Sequence, residues 1–191
     1  CELRNLVQVG AEWDVVASVD CLVEAIVENM DIKKDVLAQA ERVLGRNSIL
    51  ATNTSALSVT EMSKSLMHPD RLAGLHFFNP VPRMELVEVV RGQSTSDQTI
   101  DRLVAFVRAL GKTPIVTSDS PGFLVNRILF PYLGQAIFML RHGFETDQID
   151  REMKRFGMPM GPLALFDQVG LDVAHHVADS LQGVMPDVDQ V

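Results

Sequence analysis

The chain predicts an α/β layer on a mainly parallel sheet, followed by an all-helical domain. Three observations predict it. Short apolar runs alternate with amphipathic stretches through the first part of the chain. Capping and turn residues punctuate those stretches. Beyond Asp119-Ser120-Pro121-Gly122 only helical periodicity remains. The expected division is therefore 1–118 and 119–191.

The opening residues give only a strand-like Leu6-Val7-Gln8-Val9 and a Val-rich run near Val15. Residues 20–27 read as a buried strand that ends at Glu28-Asn29. A helix over 31–44 follows, with Ile32, Val36, Leu37, Ala40, Val43 and Leu44 on one face and Gly45 as its stop. Residues 48–52 form a second strand, leading to a Ser/Thr/Asn-rich turn and to Ser58-Val59-Thr60-Glu61, which has the form of a capping box. Two further strand-like runs, 71–78 and 84–90, flank Asn79-Pro80-Val81-Pro82. Ser96 can cap a helix to Leu110, and 113–117 reads as a last short strand. Helices are expected over 123–140, 146–156, about 162–167 and 171–181.

With 191 residues, 47% hydrophobic and 22% charged, the chain can build a globular core. Its 17 basic and 25 acidic residues give a formal charge of −8, which argues against a general nucleic-acid binder. Lys33-Lys34 leaves a local basic patch for a phosphorylated substrate. Cys1 and Cys21 have no metal-ligand spacing, so a reduced, cytoplasmic compartment and no metal are expected. The apolar run 123–140 is broken by Asn126, Arg127, Pro131 and Gln135, and reads as a buried helix rather than a membrane span. No basic leader opens the chain. It starts with Cys1 rather than Met, so the expectation is that residues upstream are missing.

Oxidising a secondary alcohol requires a group to accept the hydroxyl proton as hydride departs. Histidine suits this task because its pKa lies near neutrality, and a neighbouring carboxylate steadies the imidazolium that forms. His76 ends one strand-like run, where open α/β sheets place their ligands. Glu88 stands in the next run, and a fold-back at 79–82 can bring the two together. Taken alone, the pair also fits a hydrogen-bonded core histidine and a solvated strand glutamate. His175 and His176, adjacent on a helix, diverge by roughly 100° and make a poor metal pair. His68 and His142 read as loop and helix-end residues.

Three motifs narrow the choice: Ala51-Thr52-Asn53-Thr54-Ser55-Ala56-Leu57, then Gly74-Leu75-His76-Phe77-Phe78-Asn79-Pro80-Val81-Pro82, then Asp119-Ser120-Pro121-Gly122-Phe123-Leu124-Val125-Asn126-Arg127. Pro159-Met160-Gly161-Pro162 and Asp167-Gln168-Val169-Gly170-Leu171-Asp172 follow in order. Together they resemble the 3-hydroxyacyl-CoA dehydrogenase family, from about Asp20 to Leu181. The wording of the later part, with Arg83-Met84 and Gly111-Lys112-Thr113-Pro114, is most like the dehydrogenase part of multifunctional fatty-acid oxidation proteins.

The resemblance implies a Rossmann-like, doubly wound sheet, NAD as cofactor and an acyl-CoA substrate. It implies His76 as general base and Glu88 as its orienting carboxylate. Ser55 would hydrogen-bond the 3-oxygen, and Asn126 would hold the acyl group or help to position His76. Glu28, Lys33 and Asn53 would line the nicotinamide cofactor, and Asn79 would support the active-site loop. It also implies a homodimer through the helical domain, or a place in a larger multifunctional chain. On the residues alone, Ser55 equally reads as a turn cap, Lys33 as a solvated helix residue and Asn79 as an ordinary turn residue.

Two departures stand out. No GxGxxG turn occurs anywhere in the chain, and the opening residues match the family poorly, so the family's first βαβ unit is expected to be missing. The chain also stops soon after Leu181, before the helical domain would be complete. The leading expectation is a fragment of an enzyme that oxidises (3S)-3-hydroxyacyl-CoA in β-oxidation. The alternatives are an inert helical assembly module that does not bind NAD, and a dehydrogenase of a free β-hydroxy acid.

Overall fold

A computed structural model describes residues 7–170 and divides the chain into two compact units, Cys1–Asp119 and Ser120–Val191. The expected helix over 171–181, with His175 and His176, lies outside the described residues, as does Leu6.

In the first unit, strand and helix alternate: β1 (Cys21–Glu24), α1 (Met30–Val43), β2 (Ile49–Thr52), α2 (Val59–Ser63), β3 (Leu72–Phe77), β4 (Leu86–Arg91), α3 (Asp97–Ala109) and β5 (Thr113–Ser118). The five strands lie side by side in chain order. Three pairings are parallel, while β3 and β4 run antiparallel. The sheet is mainly parallel, as expected, with one antiparallel pair where the link across 79–82 is too short for a crossover helix and folds back. Upstream of β1, the Val-rich run forms a 3₁₀ turn, Trp13–Val16, and 7–10 has no regular structure.

Alternation along the strands assigns the two faces. Ile49, Ala51, Ala73, Leu75, Val87 and Val89 pack against Ile100, Leu103 and Val107 of α3. The opposite face meets α2. Since β4 reverses direction, the right-handed crossover through α3 falls across the sheet from α2. Gly74 marks how closely α2 approaches. A Cβ built there would stand 2.7 Å from Cβ of Val90 and 3.1 Å from a methyl of Val59. Gly74→Ala is therefore expected to destabilise the unit by roughly 1–3 kcal/mol. A lower urea midpoint at unchanged m would record it; an unchanged midpoint would show that β3 and α2 part at no cost.

The helices start where side chains serve their open amides. Asn29 accepts from the amides of Asp31 and Ile32, and Ser96 from that of Thr99. At α2 the capping box is only half made. Ser58 accepts from the Glu61 amide, but the Glu61 carboxylate pairs with Lys64. Asp119 does the remaining work, accepting from the Ser58 hydroxyl at 2.8 Å and from the amides of Val59 and Thr60 at 3.1 and 2.7 Å. Glu41 accepts from the amides of Met67 and His68 and pairs with buried Arg71. Burial pushes the Glu41 carboxyl up, yet these three partners hold it below the ordinary carboxylate range.

The second unit contains α4 (Val125–Arg141), α5 (Thr146–Phe156) and α6 (Pro162–Val169). Ala136, Ile149 and Leu163 form its core, with Met139, Leu140 and Phe166 against them. The expected buried helix over 123–140 is only partly that. Leu133 and Ala136 are buried while Ile128 and Ile137 are exposed, since α5 and α6 cover one side of α4. Asp150 joins α5 to α6 by accepting from the amides of Leu163 and Ala164, both at 2.9 Å. Among the described residues no helix is long and apolar enough to cross a membrane.

Candidate active site

His76 on β3 and Glu88 on β4 are direct cross-strand partners, so their side chains leave the same face of the sheet. Nδ1 of His76 lies 2.7 Å from Oε2 of Glu88. Glu88 is fully buried and His76 is 6% exposed. A carboxylate accepts only, so this contact fixes the neutral tautomer with the proton on Nδ1. Nε2 then carries the lone pair, and the ring is set to take a proton there. The Phe78 ring, 4.5 Å away centre to centre and tilted by 52°, limits the ring's rotation.

The turn after β2 lies beside this pair. Asn53 accepts through Oδ1 from the Phe77 amide at 2.9 Å, so it straps the end of β2 to the end of β3 next to His76. Its own amide donates to the Glu24 carbonyl at 2.8 Å. Glu28, just past β1, holds the rest of the turn through one oxygen. Oε1 accepts from the hydroxyls of Thr54 (2.6 Å) and Ser55 (3.3 Å) and from the amides of Ser55 (2.9 Å) and Ala56 (3.3 Å). Burial raises the Glu28 carboxyl, but Thr54, Ser55 and Lys33 outweigh it and bring it below the usual range.

Lys33 is fully buried rather than solvated, so Lys33-Lys34 forms no surface patch. Its ammonium lies 2.7 Å from Oε1 of Glu24, 3.3 Å from the Ile26 carbonyl and 3.4 Å from Oε2 of Glu28. Asn79 is exposed in the turn between β3 and β4, before a cis bond to Pro80. Asn126 is half-buried in the first turn of α4, in the second unit. The structure thus brings together His76, Glu88, Asn53, Ser55, Glu28 and Lys33 at one end of the sheet.

Two residues escaped the sequence reading, Glu24 at this end and Asp119 at the opposite end of the sheet. Glu24 belongs to the Lys33 cluster, and Asp119 belongs to the α2 cap. Glu24 carried a signal: a carboxylate inside the apolar run Leu22-Val23-Glu24-Ala25-Ile26, with a lysine nine positions on, invites a buried pair. Asp119 carried none, because its partners lie some sixty positions away.

An α/β unit with a carboxylate-held imidazole near the carboxyl end of a strand defines a class: sheets that bind a nucleotide and move a proton beside it. The comparisons specify it further. Residues 2–120 match the model of the 3-hydroxyacyl-CoA dehydrogenase NAD binding domain, and residues 122–190 match that of the C-terminal domain. The chain belongs to the 3-hydroxyacyl-CoA dehydrogenase family. The match begins at residue 2, so the opening residues that read as a poor fit fall within it. Among curated relatives, the fatty acid oxidation complex subunit alpha of Idiomarina loihiensis is 50% identical over 174 residues, 91% of this chain and 24% of that one. The chain spans about a quarter of the length of the curated relatives it matches.

Solved structures agree. The (S)-3-hydroxybutyryl-CoA dehydrogenase of Ralstonia eutropha superposes with a TM-score of 0.87 at 42% identity, over 90% of this chain and 62% of that one. The 3-hydroxybutyryl-CoA dehydrogenase of Escherichia coli K12 gives 0.84 at 38% identity, over 88% and 36%.

The residues present fit one end of a nicotinamide dinucleotide. Glu28 and Asn53 follow the carboxyl ends of the parallel strands β1 and β2, where α/β sheets take nucleotides. The glycine turn that would let backbone amides approach a pyrophosphate does not occur in these 191 residues.

Proposed function

We propose that this chain carries the catalytic part of an enzyme that reversibly oxidises (3S)-3-hydroxyacyl-CoA to 3-oxoacyl-CoA with NAD, in fatty-acid β-oxidation in the cytoplasm. The observation that carries the reading is the 2.7 Å contact between His76 and Glu88. In oxidation, Nε2 of His76 takes the 3-hydroxyl proton as the hydride leaves C3 and the C3–O bond becomes a carbonyl. Glu88 balances the imidazolium. In reduction, the same nitrogen returns the proton to the oxygen. Bound NAD supplies the hydride acceptor, and its reduced form the donor.

On binding, the Ser55 hydroxyl turns its one proton from Glu28 to the substrate's 3-oxygen and so holds the bound acyl group. Asn126 holds the acyl group or helps to position His76, and Asn79 supports the loop after β3. Glu28 and Asn53 line the nicotinamide end of the cofactor, with Lys33 behind Glu28. The whole protein works as a homodimer through its helical domain or as part of a longer multifunctional chain.

The full-length protein should oxidise NADH on adding acetoacetyl-CoA. Turnover of 3-hydroxybutyrate but not of its CoA ester would instead assign it to a free hydroxy acid. A second reading is an inert assembly module. Tight NAD binding to the 191-residue chain in calorimetric titration would contradict it.

A further inference from the structure

The cluster beneath the turn after β2 contains more charge than a cofactor contact requires. Lys33 and Glu24 are both fully buried in their side chains, and Glu28 stands 26% exposed beyond them. An ammonium has three N–H donors, and here it meets three acceptors: Glu24, the Ile26 carbonyl and Glu28. The distances are unequal, 2.7 Å to Glu24 against 3.4 Å to Glu28, so Glu24 is the stronger claimant. Both Glu24 oxygens are committed. Oε1 also accepts from the Ile26 amide at 2.7 Å, and Oε2 from the Thr52 hydroxyl at 2.6 Å. Glu28 spends Oε1 on the 54–56 turn and only Oε2 on the lysine.

We propose that Glu24 is a positioning residue for the substrate turn: by taking the Lys33 ammonium, it keeps that charge from drawing Glu28 off Thr54, Ser55 and Ala56. The inference rests on the reading above, in which Ser55 meets the substrate's oxygen. Its physics is a competition. A buried ammonium that loses its first carboxylate must find another, since an unpaired buried charge is costly. Glu28 is within reach. As it closes on Lys33, its bonds to the turn lengthen, and the Ser55 hydroxyl loses its orientation. Lys33 therefore acts through Glu28.

The test uses the full-length protein and two substitutions. Glu24→Gln keeps shape but removes the competing charge. It is expected to raise KM for acetoacetyl-CoA about 10-fold with kcat changed by less than about threefold. The amide protons of Ser55 and Ala56 should move upfield as their bonds to Glu28 weaken. Glu24→Gln with Lys33→Met removes both charges, so Glu28 should return to the turn. The amide shifts should recover toward the unsubstituted protein. A merely structural role predicts the reverse, a double variant no better than the single. That result, or amides unmoved in Glu24→Gln, would overturn the proposal.

Should Glu24→Gln fail to fold, Glu24→Asp withdraws the carboxylate by one methylene and gives the same readouts in milder form. Ser55→Ala separates the two levels of the argument. If it leaves KM unchanged, the role of Ser55 is wrong, and the amide shifts alone then decide whether Glu24 governs the turn.

Discussion

Replacing His76 with glutamine is expected to slow acetoacetyl-CoA reduction by about 10²–10⁴-fold, the usual loss when a general acid–base group is removed. Glutamine can still reach Glu88 through its amide nitrogen, so the β3–β4 pair and the fold should survive. What disappears is the nitrogen that exchanges a proton with the 3-oxygen. The loss should fall on kcat and on kcat/KM alike, because proton transfer contributes in the transition state and little in the ground state. NADH affinity should stay close to that of the unsubstituted enzyme, since Glu28 and Asn53 are untouched. Steady-state kinetics with a fluorescence titration of NADH checks both halves. Turnover within a few-fold of normal would remove His76 from the reaction.

Glu88→Gln carries the second large effect and acts through the tautomer. Glu88 is buried and accepts from Nδ1 at 2.7 Å. A glutamine there can offer its NH₂ group instead, which would reward a bare Nδ1 and place the ring proton on Nε2. The imidazole would then present a proton where the oxidation needs a lone pair. The imidazolium would also lose the carboxylate that balances it. A fall on the order of 10²–10⁴-fold in the oxidation direction is expected, as for a triad aspartate changed to its amide. Hydroxybutyryl-CoA oxidation at saturating NAD measures it, with circular dichroism to confirm the fold. A variant that kept normal oxidation would show that Glu88 serves only the core.

Much of this was legible before any coordinates. The α1 face follows from periodicity at Leu37, Ala40 and Leu44, but Ile32 is exposed while Lys33 and Glu41 are buried. Ser58 and Ser96 cap as their positions suggest. The His76–Glu88 pair was legible as a possibility, because the Asn79-Pro80-Val81-Pro82 turn allows a fold-back. That turn also implied the antiparallel β3–β4 pairing, the one break in an otherwise parallel sheet. Long-range polar contacts were not legible. Nothing local tells Asp119 to cap α2, or Glu41 to pair with Arg71. Such pairs form because buried donors need acceptors, whatever their separation along the chain. Lys33 shows the converse. Its helix position reads as solvated, and only the buried acid on β1 reveals why it turns inward.

The most direct test of the central claim is the protonation of the His76 ring. With ¹⁵N-labelled histidine in the full-length protein, and His76→Gln to assign the signal, the two ring nitrogens can be told apart at the pH of the oxidation assay. The account predicts a proton on Nδ1, hydrogen-bonded to Glu88, and a bare Nε2. A proton on Nε2 with Nδ1 bare would contradict it, because the ring would then have no lone pair to offer the substrate's hydroxyl.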